Sequence, residues 1–200
     1  LAKLGAGLPE SAIVDEPDPL RAAAEAVRLV REGRADFLMK GKIETGDLLK
    51  AVVNKETGLG TGRVMSHMAI QTVPRYHKML VTTDGGMLPY PTLEQKKDII
   101  VNAVNALRAM GYDRPKVGVL AAVEKVNPKM PETVEAAALK EMNAKGEITG
   151  CVVEGPISMD IAVVKERAEV KGFVSEVAGD ADILVVPDIH AGNILGKCLV

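Results

Sequence analysis

Short apolar runs alternate with amphipathic stretches along most of the chain, and this alternation predicts its elements. Ala12-Ile13-Val14 reads as a short strand, halted by the Pro17-Asp18-Pro19 turn. From Asp18, the apolar residues Leu20, Ala23, Ala24, Val27, Leu29 and Val30 recur at helical spacing as far as Gly33. That is the pattern of a helix with an acidic start and a glycine stop. Asp36-Phe37-Leu38-Met39 reads as a buried strand running into Lys40-Gly41-Lys42. A second helix fits Thr45 to Lys55, with Leu48, Leu49 and Val52 on one face, and Gly58, Gly60 and Gly62 punctuate the loop after it.

Two strand-like runs follow, 64–73 and 79–83, joined by Pro74-Arg75-Tyr76-His77. So short a link holds no crossover helix, which makes this pair antiparallel. The alternation then resumes: helix 92–110, strand 117–121, helix 131–145, strand 151–154, helix 160–169, strand 183–186, and a last helix from about Ala191. This cadence predicts an α/β fold with a mainly parallel sheet. Runs such as Ile183-Leu184-Val185-Val186 suit strands covered by helices on both faces. The antiparallel pair near 64–83 is the exception, and its place is open between the main sheet and a separate lobe or dimer contact. No internal repeat or linker marks a domain boundary.

Composition narrows the function. The 200 residues carry 25 Lys+Arg against 27 Asp+Glu, with a pI near 6.0 and 2% aromatic residues without Trp. A nucleic-acid binder needs a basic surface or stacking platforms, so that class is excluded. No apolar run approaches the roughly 18 residues of a membrane span, and no signal-peptide layout opens the chain. Cys151 and Cys198 are far apart and lack a CxxC or Cys/His pattern, as expected of two buried thiols in a reducing cytosol.

Ligands of parallel sheets bind beyond the carboxyl ends of the strands. The segments there are Lys40-Gly41-Lys42-Ile43-Glu44-Thr45, Asp84-Gly85-Gly86-Met87, Glu124-Lys125 through Lys129, Gly155-Pro156 with Asp160, and Pro187-Asp188 with Ala191-Gly192-Asn193. Together they offer lysines, carboxylates, small residues and backbone amides, the composition of a pocket for a phosphate-bearing small molecule. Lys40, Lys42 and Lys50 bring positive charge. Thr45, Gly192 and Asn193 fall at or near helix N-termini, where free N–H groups favour an anion. The plainer reading of any single loop is that its lysines are solvated and its glycines make turns.

Other chemistries lack their signatures. There is no GxxxxGK[ST], and Gly58, Gly60 and Gly62 follow a helix and miss the GxGxxG spacing. His67, His77 and His190 have no metal-ligand spacing and read as structural or surface residues, so no metal is expected. No GxSxG elbow occurs, and Ser66, Ser158 and Ser175 have no base nearby in sequence.

Read as a set, the strings Lys40–Thr45, Lys50-Ala51-Val52, Leu93–Ile100 and Ala122–Met130 resemble those of phosphate butyryltransferases, within the phosphate acetyl/butyryltransferase family. So do Glu154-Gly155-Pro156 with Asp160, Val177–Asp182, and Pro187-Asp188 followed by Ala191-Gly192-Asn193 and Lys197. The resemblance covers nearly the whole chain. It implies an isocitrate dehydrogenase-like two-domain α/β architecture, usually a homodimer. It also implies transfer of a short, butyryl-like acyl group between coenzyme A and inorganic phosphate, with coenzyme A as substrate and no cofactor. Lys42, Thr45 and Lys50 would face phosphate. The acetyl enzymes carry arginine where Lys50 stands, which favours the butyryl branch.

On this reading Lys40, Lys42, Thr45, Lys50, Gly155, Asp188, Gly192 and Asn193 are the candidate phosphate and substrate residues, with the Gly192-Asn193 helix start donating backbone N–H groups to an oxyanion. Asp160 or Asp84 is the candidate for taking the thiol proton, while a helix-capping role for Asp160 is the plain alternative. Family chains extend beyond both Leu1 and Val200, so this chain is expected to be a central part that lacks the N-terminal start and the C-terminal catalytic segment. Thr83-Asp84-Gly85-Gly86-Met87 departs from the usual Thr-Asp-Ala-Ala-Met and points to a subgroup with its own acyl preference. Two other readings stand beside the enzyme: a catalytically silent ligand-binding or dimerisation module of this fold, and a related acyl-phosphate enzyme of lipid synthesis.

Overall fold

A computed structural model describes residue 5 and residues 7–199. The chain divides at Arg63/Val64 into two units. In the first, helix α1 (Pro19–Arg31) starts where the sequence places it because the Asp18 carboxylate accepts the Arg21 N–H at 2.8 Å and proline occupies the first turn. It stops at Gly33, whose φ of +69° suits glycine. Helix α2 (Thr45–Val52) packs against α1 and ends three residues before the expected Lys55. The cause is an Asn turn: Asn54 Oδ1 accepts the N–H groups of Glu56 and Thr57, both at 2.9 Å, and turns the chain away from helix.

The two strands expected in this unit do not form. Glu10–Ala12 is a 3₁₀ turn, Ile13 and Val14 have no ladder partner, and 36–39 is irregular with Phe37 75% and Met39 88% exposed. Apolar sequence alone does not make a strand, since its backbone must pair with a neighbour.

The second unit holds a five-stranded sheet: β1 (Ala69–Thr72), β2 (Met79–Thr83), β3 (Lys116–Leu120), β4 (Val152–Ile157) and β5 (Ile183–Val185), in the order β1-β2-β5-β3-β4. β1 and β2 are antiparallel, as their short link requires, and the other pairs are parallel. Helices α3 (Leu93–Ala109) and α4 (Pro131–Ala144) cover one face, where Ile100, Val104 and Leu139 meet Val81, Val117 and Val185. Helices α5 (Met159–Val163), α6 (Lys165–Lys171) and α7 (Ile189–Cys198) cover the other, where Ile161, Ala168 and Leu195 meet Leu80, Leu184 and Val186. Alternate residues of each strand thus enter opposite cores, and the expected mainly parallel α/β sheet with helices on both faces is what forms. Gly118 faces the second core, where an added Cβ would touch Ile157, Ala162 and Leu184.

Two elements differ instructively from expectation. β4 runs through Gly155-Pro156 to Ile157, because an edge strand tolerates proline and the register slips between Gly118 and Leu120. The helix expected over 160–169 breaks at Val164, which is extended at φ −125°. There the N–H groups of Gly179 and Ala181 bond the carbonyls of Ile161 and Ala162 at 2.8 and 3.3 Å, taking acceptors that a continuous helix would use.

The amino ends of the strands are tied by charge. Lys78 Nζ bridges Asp180 and Asp182, both at 2.8 Å, Lys116 Nζ bonds the other Asp180 oxygen, and His77 Nε2 lies 2.7 Å from Asp180 Oδ1. Burial alone would raise the Asp180 carboxyl, but the hydrogen bonds from Lys116, Lys78 and His77 outweigh it and hold the group well below the usual carboxylate range. Asp182 also accepts the Lys116 backbone N–H at 2.7 Å, and the Tyr76 hydroxyl donates to the Ala181 carbonyl at 2.6 Å.

Candidate functional site

The strand order creates an opening at the opposite end of the sheet. β3 and β5 are neighbours, yet the chain leaves β3 for α4 on one face and leaves β5 for α7 on the other. Loops that part in this way leave a crevice beyond the carboxyl ends, the general ligand position of open parallel sheets. A cavity of about 340 Å³ lies there. The β3 loop supplies Leu120, Ala121 and Ala122, the start of α4 supplies Met130 and Glu132, and α5 supplies Met159. Val186, Pro187 and Asp188 follow β5, and Ala191 and Leu195 close the wall from α7. Apolar side chains dominate, and the only charged ones are carboxylates.

Asp188 is in this wall, but one of its oxygens serves the fold. It caps α7, with Oδ1 accepting the Ala191 N–H at 2.9 Å. The helix therefore begins before the expected Ala191, and Gly192 is its fourth residue, with its N–H already given to the Asp188 carbonyl at 3.1 Å. The expected donation from the Gly192-Asn193 backbone to an oxyanion is thus corrected. Gly192 is a packing glycine instead: an added Cβ would stand 2.7 Å from both Gly85 Cα and Val186 Cγ2. Gly85 meets the same contact from the other side, and Asn193 Nδ2 reaches the Gly85 carbonyl at 3.5 Å.

Asp84 is buried at 2% exposure and organises the loop after β2. Its Oδ1 accepts the N–H groups of His67, Gly86 and Met87 at 3.2, 2.9 and 2.9 Å, and Oδ2 accepts that of Leu88 at 3.1 Å. Both oxygens of this carboxylate are committed to backbone N–H groups, which gives Asp84 a loop-holding role in place of the expected one as base. Gly155 is likewise displaced from its expected loop. It lies buried within β4, where a Cβ would come within 2.9 Å of Val119 Cβ and 3.1 Å of Ala136 Cβ.

Asp160 has a different setting. It lies in the first turn of α5, whose N-cap is Ser158, so it does not cap that helix. The Ser158 hydroxyl sits 2.6 Å from Asp160 Oδ1 and 2.5 Å from Glu124 Oε1, one donor shared by two carboxylates. Lys171 Nζ bonds Glu124 at 3.0 Å and stands 3.9 Å from Asp160. The Ser158 hydrogen bond, aided by Lys171, holds both carboxyls below their ordinary values. Asp160 remains half-exposed and ionised, next to Met159 in the cavity wall.

The lysines belong to the first unit. Lys40 Nζ is turned onto its own loop, bonding the carbonyls of Ile43 and Gly41 at 2.8 and 3.2 Å, and Lys50 Nζ pairs with Asp47 at 2.9 Å. Lys42 is exposed, and Thr45 is the first residue of α2, as its position in the sequence suggests. A larger hollow of about 1020 Å³ between α1 and α2 contains Arg21, Arg28, Arg31 and Lys50, but these cations already bond Glu16, Glu25, Glu32, Asp47 and the Glu56 carbonyl. The lining sets four cations against the five carboxylates of Asp15, Glu16, Glu25, Glu32 and Asp47, so the hollow as a whole carries no excess of positive charge.

Sequence distance hides the contact between Glu124 and Ser158, and Met159 and Leu195 carry no signal beyond apolar character. The S-x-D spacing of Ser158 and Asp160 at a helix start was the available clue. His77 pairs with Asp180 and His190 Nε2 lies 3.1 Å from the Tyr90 hydroxyl. Among the described residues no cluster of His, Cys, Asp and Glu is arranged to hold a metal, and no helix is long and apolar enough to cross a membrane.

Comparison with known proteins agrees with this architecture. Residues 13–199 match the profile of the family described as Phosphate acetyl/butaryl transferase. The chain is 45% identical over 197 residues to the phosphate butyryltransferase of Clostridium acetobutylicum, covering 98% of this chain and 65% of that protein. It is 50% identical over 188 residues to the phosphate acetyltransferase of Thermotoga maritima, covering 94% and 64%. The crystal structure of a branched-chain phosphotransacylase from Enterococcus faecalis superposes with a TM-score of 0.85 at 37% identity, over 93% of this chain and 66% of that one. The chain thus spans about 65% of the length of these two curated relatives and 51% of others.

Proposed function

The chain belongs to the phosphate acetyl/butaryl transferase family, and from that premise we propose that it moves a short acyl group between coenzyme A and inorganic phosphate. The observation that carries this reading is the lining of the crevice: Ala122, Met130, Pro187, Asp188 and Ala191 all come from the strings on which the family resemblance rests. In one direction a phosphate oxygen attacks the thioester carbonyl, the tetrahedral centre collapses, the C–S bond breaks and the coenzyme A thiolate leaves. In the other, a thiol loses its proton and attacks an acyl phosphate, releasing phosphate.

Asp160 is the carboxylate assigned to that thiol proton, because it is ionised and accessible whereas Asp84 is consumed by its loop. Lys42, Thr45 and Lys50 are assigned to phosphate on the strength of the family strings. The acyl preference is assigned to the butyryl side because lysine stands at position 50. The reaction balances with coenzyme A and phosphate as substrates and calls for no resident cofactor. The family likeness supports a homodimer in the cytoplasm, and the free thiols suit that compartment, although only Cys151 is buried as expected and Cys198 is exposed. Burial pushes the Cys151 thiol up to about 11, so it stays protonated and inert.

The test is phosphate-dependent release of free thiol from butyryl-CoA, with acetyl-CoA alongside and Lys42→Ala as control. Release that requires phosphate and is lost in the control is expected. A folded chain that binds butyryl-CoA without releasing thiol would contradict the transferase and identify a silent binding module.

A further inference from the structure

The crevice beyond β3 and β5 lies where a ligand belongs, yet its chemistry is wrong for phosphate. Its walls are aliphatic and thioether side chains, and its only charges, Glu132 and Asp188, have the sign that repels an anion. Arginine, lysine and histidine are absent from the lining. One Asp188 oxygen is held by the start of α7, so this carboxylate cannot swing away. The volume of about 340 Å³ sits at the small end of ligand pockets, which run from about 300 to 1,000 Å³. It accommodates a short chain and excludes a whole acyl-CoA. These features select an uncharged, apolar piece of substrate and reject phosphate.

We infer that this cavity is the acyl-chain pocket, with Met130 and Met159 as the residues that set which chain lengths are accepted. The inference rests on the transferase reading above and adds which part of the substrate goes where. Two methionines on facing elements, the start of α4 and the start of α5, form an adjustable wall. Methionine has three rotatable bonds and a polarisable sulfur, so it repacks around chains of different length or branching. Both side chains are only partly buried and neither belongs to a core cluster as a fully buried member, unlike the rigid floor of Leu120 and Val186, 8% and 3% exposed. The pocket therefore discriminates by degree across neighbouring chain lengths. Ala121, Ala122 and Ala191 leave the space open where larger residues would fill it.

The experiment is methyl NMR on the chain labelled with ¹³C at its methionine methyls. Its nine methionines give resonances assignable by Met→Leu substitution. Titration with butyryl-CoA is expected to shift the Met130 and Met159 methyls, free coenzyme A to move them much less, and inorganic phosphate to leave them unchanged. Shifts at other methionines on adding butyryl-CoA, with Met130 and Met159 silent, would overturn this inference while leaving the transferase reading intact. Absence of any shift with all three ligands would overturn both. A second readout is the ratio of hexanoyl-CoA to butyryl-CoA affinity, which Met159→Ala is expected to raise about tenfold, the discrimination typical of added methylenes in an apolar pocket. Met159→Leu, of similar volume, is expected to leave it near the native value. An unchanged ratio in a folded Met159→Ala protein would overturn the assignment.

Discussion

The two ends of the five-stranded sheet are built on opposite plans. At the amino ends, Lys78, Lys116, Asp180 and Asp182 satisfy one another, and the Tyr76 hydroxyl and His77 ring join them. At the carboxyl ends, between β3 and β5, the chain leaves a volume of about 340 Å³ unfilled, walled mainly by apolar side chains. One end resists change because removing a partner strands a charge. The other keeps apolar surface available to a ligand. The contrast separates stability from function along the strands of a single sheet, and substitutions at the two ends should have separable effects.

The largest expected effect is at the carboxyl end. Asp160→Asn keeps a hydrogen-bond acceptor for Ser158 but removes the base, and should lower thiol turnover by about 10²–10⁴-fold with an unchanged melting temperature. Loss of folding in parallel with activity would show that the Ser158–Glu124–Asp160 group is structural. Next comes the amino end. Lys78→Met leaves the Asp182 carboxylate, 7% exposed, without its cation. Because Lys78 itself is 21% exposed, the cost in urea unfolding should be about 2–3 kcal/mol, under the 3–5 of a fully buried pair. Affinity for butyryl-CoA should not change. An equal loss of stability and affinity would break the comparison.

These two regions were unequally legible in the sequence. The alternating apolar runs led to all five strands of the second unit and to the antiparallel pair, because period and link length are local properties. The strand ends pointed to the end of the sheet where the cavity lies. The chemistry of that end did not follow, since lysines and glycines were grouped by their place after a strand, not by what surrounds them. Asp84 reads as a free carboxylate in the sequence but its loop folds around it, and Gly192 reads as an anion donor but its N–H goes to the Asp188 carbonyl. The broken helix at Val164 depends on Gly179 and Ala181, residues fifteen and more positions away, which no window around the helix contains.

A smaller effect sharpens the comparison from the packing side. Gly85→Ala places a methyl 2.9 Å from the Gly192 carbonyl carbon, a contact that backbone must relieve. The cost should be about 1–3 kcal/mol, and because α7 bears the cavity wall, butyryl-CoA affinity should fall as well. Thermal melting and calorimetric titration together check this, and stability loss alone would separate the glycine contact from the pocket. The smallest effect is in the pH dependence. The Asp180 carboxyl is held below its unfolded value near 3.9, so its contribution is complete above about pH 4 and disappears as pH falls through the folded value. With 36% of the side chain exposed, solvent screening limits the contribution to less than about 1 kcal/mol. Asp180→Asn should accordingly flatten the acid limb of the stability curve between about pH 5 and 2, and an unaltered limb would show that other carboxylates govern it.

The division between the two ends is tested most directly by hydrogen exchange of the backbone with and without butyryl-CoA. Slowed exchange is expected in 120–132, 158–160 and 186–195, around the crevice, with no change in 114–118 and 178–183 at the amino ends. Bound butyryl-CoA that protects the amino-end segments and leaves the crevice segments exchanging freely would contradict the account.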